Sequence, residues 1–185
     1  MHISHNMQPG LVPRVAILGC GNMLFGDDGF GPAVINCLHL ADLPSHVQAI
    51  DVGTAIREHL LDYLLDPRLR PERLIVVDAA YHQGVDPGTV RCCRAADLER
   101  TKAHDFSLHQ FPTVNLLAEL ESETRMRVEL LLAQAETLPD EVRPGLSPVM
   151  EEAVRRACTL ILQRIAEDVI IFSTRDAVAI AEDGV

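Results

Sequence analysis

Short apolar runs alternate with stretches of helical periodicity along the whole of this 185-residue chain. Arg14–Leu18 (RVAIL) is a continuous apolar run that predicts a buried strand. Past a glycine turn, Phe30, Ala33, Val34, Cys37, Leu38 and Ala41 recur at helical spacing and predict a helix with one apolar stripe. Val47–Asp51 (VQAID) predicts a second strand. Gly53-Thr54 then opens a helix to about Leu65, with Thr54 as its expected N-cap. Arg73–Asp78 (RLIVVD) is the strongest strand signal, and Thr89–Arg94 (TVRCCR) alternates as a strand after a turn at Asp86-Pro87-Gly88. A helix carrying Leu116, Leu117 and Leu120 follows Ser107 or Pro112. The proline leaves both starts open, because inside a helix it removes a backbone bond. Arg127–Ala133 (RVELLLA) predicts a further strand and Glu136–Gly145 a loop. Ser147-Pro148 starts the last helix, the serine capping and the proline in the first turn, with Val149, Ala153, Ala157, Leu160, Ile161 and Ile165 as its apolar positions.

Strands interleaved with helices in this way predict an α/β, three-layer αβα fold. Its central sheet is mostly parallel, with about five strands and helices on both faces. One domain is expected over residues 14–167, with 1–13 and 168–185 as tails. In such folds the ligand site lies beyond the carboxyl ends of the strands. Asp28 follows the first strand, Asp51 ends the second and Asp78 ends the third, so three carboxylates are expected at one edge of the sheet.

Composition narrows the function. A net charge of −11 argues against nucleic acid or an anionic membrane surface as main partner, since both require clustered Lys and Arg. No apolar run approaches the ~18 residues of a membrane span, and the polar start MHISHNMQPG is no signal peptide, so a cytoplasmic protein is expected. The five cysteines form no C-x-x-C; three fall on apolar faces, as buried reduced thiols would. Cys92 and Cys93 are adjacent and point to opposite faces of their strand.

The first turn, LGCGNMLFGDDGFG (Leu18–Gly31), carries two glycines of a dinucleotide fingerprint, Gly19 and Gly21, but Leu24 stands where the third belongs. Asp27 and Asp28 place their own charge at the helix entry. At an effective dielectric of about 20, each like-charge contact of a phosphate at ~4 Å there would cost on the order of 4 kcal/mol. The turn suits a cation better. An aspartate at a helix entry is also the commonest cap, so convergence of the three acids is what favours a site. Carboxylates with one neutral imidazole form a mixed O/N ligand set for a divalent transition metal. His109 in DFSLHQFPTVNLL, His82 in VVDAAYHQG and His104 all compete for that place, whereas His39, His46 and His59 read as structural.

GCGNMLFGDDGFGP, IDVGTA, LIVVDAA, FSLHQ and GLSP together resemble the [NiFe] hydrogenase maturation endopeptidases, from about Val15 to the last helix. The LFGDDGFGP form looks closest to the branch serving deazaflavin-reducing hydrogenases. The resemblance implies an endopeptidase that removes the C-terminal extension of the [NiFe] hydrogenase large-subunit precursor after nickel insertion. That precursor would be its partner. It implies nickel supplied by the substrate's own active site, with cadmium or zinc able to substitute, and a monomer or weak oligomer. Residue by residue, it places the metal-binding and catalytic trio on Asp28, Asp78 and His109, which selects His109 over His82. Asp51 is a further polar residue by the family site, with Asp27, Gly53 and Thr54 around it. Val52 stands where many relatives carry a second glycine. Whether the trio engages nickel in the substrate or holds its own ion to activate water stays open. No serine or cysteine lies in a nucleophile elbow. The alternatives are a nucleotide-binding α/β domain and a non-catalytic nickel-site chaperone.

Overall fold

The structure is a computed structural model that describes residues 12–95 and 111–182, with side chains over 12–95 and 115–167. Five strands form one sheet: β1 (Val15–Cys20), β2 (Val47–Gly53), β3 (Arg73–Ala80), β4 (Val90–Arg94) and β5 (Arg127–Gln134), in spatial order β2-β1-β3-β5-β4. β1 pairs in parallel with β2 and β3, and β3 with β5, while β4 joins the far edge antiparallel to β5. The helices are α1 (Phe30–His39), α2 (Ile56–Leu65), α3 (Phe111–Glu123) and α4 (Pro148–Glu182). The expected mostly parallel sheet of about five strands is thus present.

Period-2 alternation sorts each central strand between two cores. Val15 and Ile17 of β1, with Ile75, Val77 and Ala79 of β3, pack beneath α1 and α4. Ala16, Leu18 and Cys20, with Leu74, Val76 and Ala80, pack beneath α2 and α3. All six residues of β1 and all eight of β3 are buried, as continuous apolar runs covered on both faces must be.

Several boundaries differ from expectation for local reasons. α2 begins at Ile56 with Ala55 at its cap position, so Thr54 caps nothing. Thr54 belongs instead to a turn closed by Ala55 N–H donating to the Val52 carbonyl (2.8 Å). β3 continues past Asp78 to Ala80. The buried stripe of α4 runs through Met150, Ala153, Val154, Ala157, Cys158, Ile161 and Ile165, while Val149 and Leu160 are partly exposed. Cys20 and Cys158 are buried, Cys37 is half-buried, and none of the five cysteines is in a disulfide.

The amino-terminal edge of the sheet holds an ion network. Glu129 accepts from Arg73 (2.9 Å) and Arg164 (2.8 Å), with Arg127 at 4.0 Å. Burial alone would raise the Glu129 carboxyl, but the Arg73 hydrogen bond and the three guanidinium charges outweigh it and hold the group below its ordinary value. A folded-state pKa below the unfolded one gives stability that is present above the unfolded value and lost as pH falls through the folded one. Wild-type unfolding free energy, followed by urea titration, is therefore expected to decline as pH drops below the usual glutamate range. In Glu129→Gln, less stable at neutral pH, that part of the acid-dependent decline should be missing; an identical slope would overturn the assignment.

Candidate active site

The strand order reverses at β1. The chain leaves β1 for β2 on one side and returns to β3 on the other, which makes the β1/β3 carboxyl ends the topological switch point where α/β folds bind ligands. Asp28 follows β1 and Asp78 lies in the last turn of β3's pleat, so both belong to that crevice.

The local fold of the turn aims Asp28. Gly21 has φ of +120°, and a Cβ there would overlap the Asp28 carbonyl oxygen, so only glycine lets the strand end wrap over this residue. Asn22 N–H then donates to Asp28 Oδ2 (2.7 Å), and Leu24 N–H donates to the Asn22 side-chain oxygen (3.0 Å). The Asn22 N–H, the kind of donor a dinucleotide fingerprint offers to a phosphate, is taken by the Asp28 carboxylate. The helix–strand close approach falls on Gly31 instead of the missing third glycine. A Cβ at Gly31 would collide with backbone of Cys20 and with the Val77 carbonyl, which shows α1 pressed onto both β1 and β3.

Asp78 is 8% exposed and accepts Ala79 N–H (2.8 Å). Asp51 is exposed and accepts Gly53 N–H (3.0 Å); Gly53 in turn accepts Gly21 N–H (3.0 Å) at a register shift between β1 and β2. Cys20, the last residue of β1, is buried. Burial pushes its thiol well above its ordinary pKa, and the charges of Asp78, Asp51 and Asp28 push it further.

Asp27, adjacent in sequence, behaves quite differently. It is 1% exposed and turned toward the other side of the turn. Its Oδ2 accepts from Glu136 N–H (2.8 Å), Thr137 N–H (3.2 Å) and the Ser147 hydroxyl (3.1 Å), and its Oδ1 accepts Ser147 N–H (2.7 Å). Ser147 precedes α4, and its hydroxyl is spent on Asp27, so the carboxylate faces the amino end of α4, where negative charge is favoured. No signal in the sequence near Asp27 could have indicated these partners. The same tie draws the Glu136–Gly145 loop against the site. Gly26 N–H donates to the Arg143 carbonyl and Arg143 N–H to the Leu24 carbonyl, both at 2.8 Å, and Phe25 and Arg143 form a parallel bridge. This loop therefore walls the turn that carries Asp28.

Of the histidines, His104 and His109 lie outside the described residues, as does Ser107. His82 is half-buried, with its backbone held at both ends by the Gln134 side chain, which accepts His82 N–H (3.0 Å) and donates to its carbonyl (3.1 Å). Among the described residues, no three His, Cys, Asp or Glu side chains form a group that could hold a metal ion. Thr54 is exposed and Gly53 contributes backbone alone. Asp28, Asp51 and Asp78 thus put carboxylate oxygens at the carboxyl edge of the sheet, a ligand type that suits a divalent cation.

Residues 32–164 match the family model described as hydrogenase maturation protease. The chain is 35% identical to a putative hydrogenase maturation protease of Methanocaldococcus jannaschii, over 82% of this chain and 96% of that one. It is 33% identical to the coenzyme F420 hydrogenase subunit delta of Methanothermobacter thermautotrophicus, over 82% and 94%. Among solved structures it resembles the hydrogenase maturating endopeptidase HybD of Escherichia coli, with a TM-score of 0.70 and 26% identity over 84% of this chain and 93% of that one.

Proposed function

The chain belongs to the hydrogenase maturation proteases, and from that premise we propose that it is a nickel-dependent endopeptidase. It would remove the C-terminal extension of a [NiFe] hydrogenase large-subunit precursor once nickel has been inserted. What supports the reading is the placement of Asp28, beyond β1, and Asp78, near the end of β3, at the carboxyl edge beside the switch point, with Asp51 of β2 at the same edge. Clustered carboxylates attract a divalent cation far more than a neutral peptide, so a client bearing nickel is favoured over its empty form.

In this reading nickel is part of the substrate. Asp28 and Asp78 offer oxygen ligands to it, His109 offers the imidazole, and an incomplete set leaves positions for the client's own ligands. Asp51 adds charge without burial, and the Glu136–Gly145 loop, with Val142 and Arg143 exposed, forms the wall along which the client chain lies. The resemblance to the F420 hydrogenase subunit delta, together with the LFGDDGFGP turn, supports a client among deazaflavin-reducing hydrogenases. Among the described residues no helix is long and apolar enough to cross a membrane.

The test is cleavage of purified precursor, nickel-loaded and nickel-free, followed by mass spectrometry of the released peptide. Cleavage of the loaded form alone is expected. Equal cutting of both forms would refute nickel dependence, and tight binding of the loaded form without cutting would make the protein a chaperone. Calorimetry with nickel and cadmium, against NAD and ATP, should register the metals only.

A further inference from the structure

The opposite edge of the sheet carries the reverse charge. β3 and β5 each begin with an arginine, and Arg73 and Arg127 are direct partners in the parallel ladder, a like-charge pairing that is unfavourable by itself. Glu129, two residues past Arg127 and so on the same face, takes both Arg73 Nη2 (2.9 Å) and Arg164 Nη1 (2.8 Å) on a single oxygen, Oε2. Arg127 Nε stands 4.0 Å from the other oxygen. Three guanidiniums thus share one carboxylate. The Arg73 side chain is 6% exposed, so solvent does little to screen it.

These groups open onto a cavity of about 380 Å³ whose remaining lining is Leu160, Gln163 and Glu167. Counting Glu167, which is exposed, the lining keeps a surplus positive charge in a chain whose net charge is −11. We propose that this cavity is a binding site for a small phosphate-type oxyanion, separate from the acidic rim at the other end of the strands. Arginine forks match the geometry of phosphate oxygens and can donate in pairs. The donors of Arg127 and Arg164 lie at the more open side, at 60% and 38% side-chain exposure, and the Gln163 amide can supply a further N–H. Glu167 adds a carboxylate to the lining, which favours one small anion over a polyanionic chain.

The experiment is titration of the intact protein with inorganic phosphate and with glycerol 3-phosphate. Succinate serves as a dicarboxylate comparison and sodium chloride as the control at matched ionic strength, with melting temperature and calorimetry as readouts. Phosphate is expected to raise the melting temperature saturably where chloride does not. A stronger response to glycerol 3-phosphate would identify a phosphomonoester as the occupant, and an equal one free phosphate. Arg127→Gln and Arg164→Gln, both at accessible positions, should each weaken binding about tenfold, the loss of one charge-assisted contact. Asp28→Asn should leave it unchanged. A response no larger than that of chloride, one stronger with succinate, one unaltered in both arginine variants, or one abolished by Asp28→Asn would overturn the proposal.

Discussion

Asp28→Asn is expected to reduce processing of the nickel-loaded precursor by roughly a hundredfold or more, the scale on which reacting sites lose one electrostatic partner. The substitution keeps the side chain's shape, and its amide oxygen can still accept the Asn22 N–H that now reaches Asp28 Oδ2 at 2.7 Å. What disappears is the charge. The melting temperature should therefore move by no more than about 4 °C, roughly the shift 1 kcal/mol produces in a chain of this size. Asp78→Asn and His109→Ala should give the same loss of processing, with titration calorimetry showing weakened nickel binding in each. Because Asp51 and Asp78 keep their charge at the same edge of the sheet, some attraction for cations should survive in Asp28→Asn, and a double Asp28/Asp78 variant should remove more. Parental processing rates in Asp28→Asn would show that the rim is not where the client's metal is met.

The site was legible in the sequence to the extent that it depends on topology. Apolar runs at Arg14–Leu18 and Arg73–Asp78 mark strands buried on both faces, and the alternation of strand and helix dictates that their carboxyl ends share an edge. From this alone Asp28, Asp51 and Asp78 fall together. The β1/β3 switch point that selects two of them needs the strand order, which no local pattern encodes.

Features set by contacts between distant segments were illegible. Gly31 is where α1 meets β1 and β3, a close approach that no local pattern announces. Thr54 has the chemistry of a cap, but the Asp51 carboxylate takes Gly53 N–H and a tight turn closes at Ala55, so the helix starts later. Val149 fits the apolar spacing of α4, yet the buried phase passes through Met150. In each case a tertiary contact or turn chooses between local options that are nearly equal in energy.

Asp27 is the sharpest case, and Asp27→Ala should be severely damaging to the fold. The carboxylate receives four hydrogen bonds from residues 109 to 120 positions away. Removing it leaves the N–H groups of Glu136, Thr137 and Ser147 short of an acceptor, at about 1–3 kcal/mol for each donor that stays buried. It also removes negative charge from the amino end of α4. A loss of roughly 3–6 kcal/mol is a large share of the 5–15 kcal/mol that holds a typical domain together, and should lower the melting temperature by about 10 °C or more. Asp27→Asn separates charge from shape: one amide oxygen can still accept, but the amide nitrogen cannot serve the donors gathered on the other side. It should fall well below the wild type without matching Ala. Hydrogen exchange at Glu136, Thr137 and Ser147 supplies the local readout, with protection lost in Ala and partly kept in Asn. The Glu136–Gly145 loop is tethered to Asp27 at one end and to Leu24 and Gly26 through Arg143 at the other, so releasing the first tether should loosen the wall while the Asp28 turn persists. If Asp27→Ala melts like the wild type with these amides still protected, the clamp is not what joins the loop and α4 to the turn.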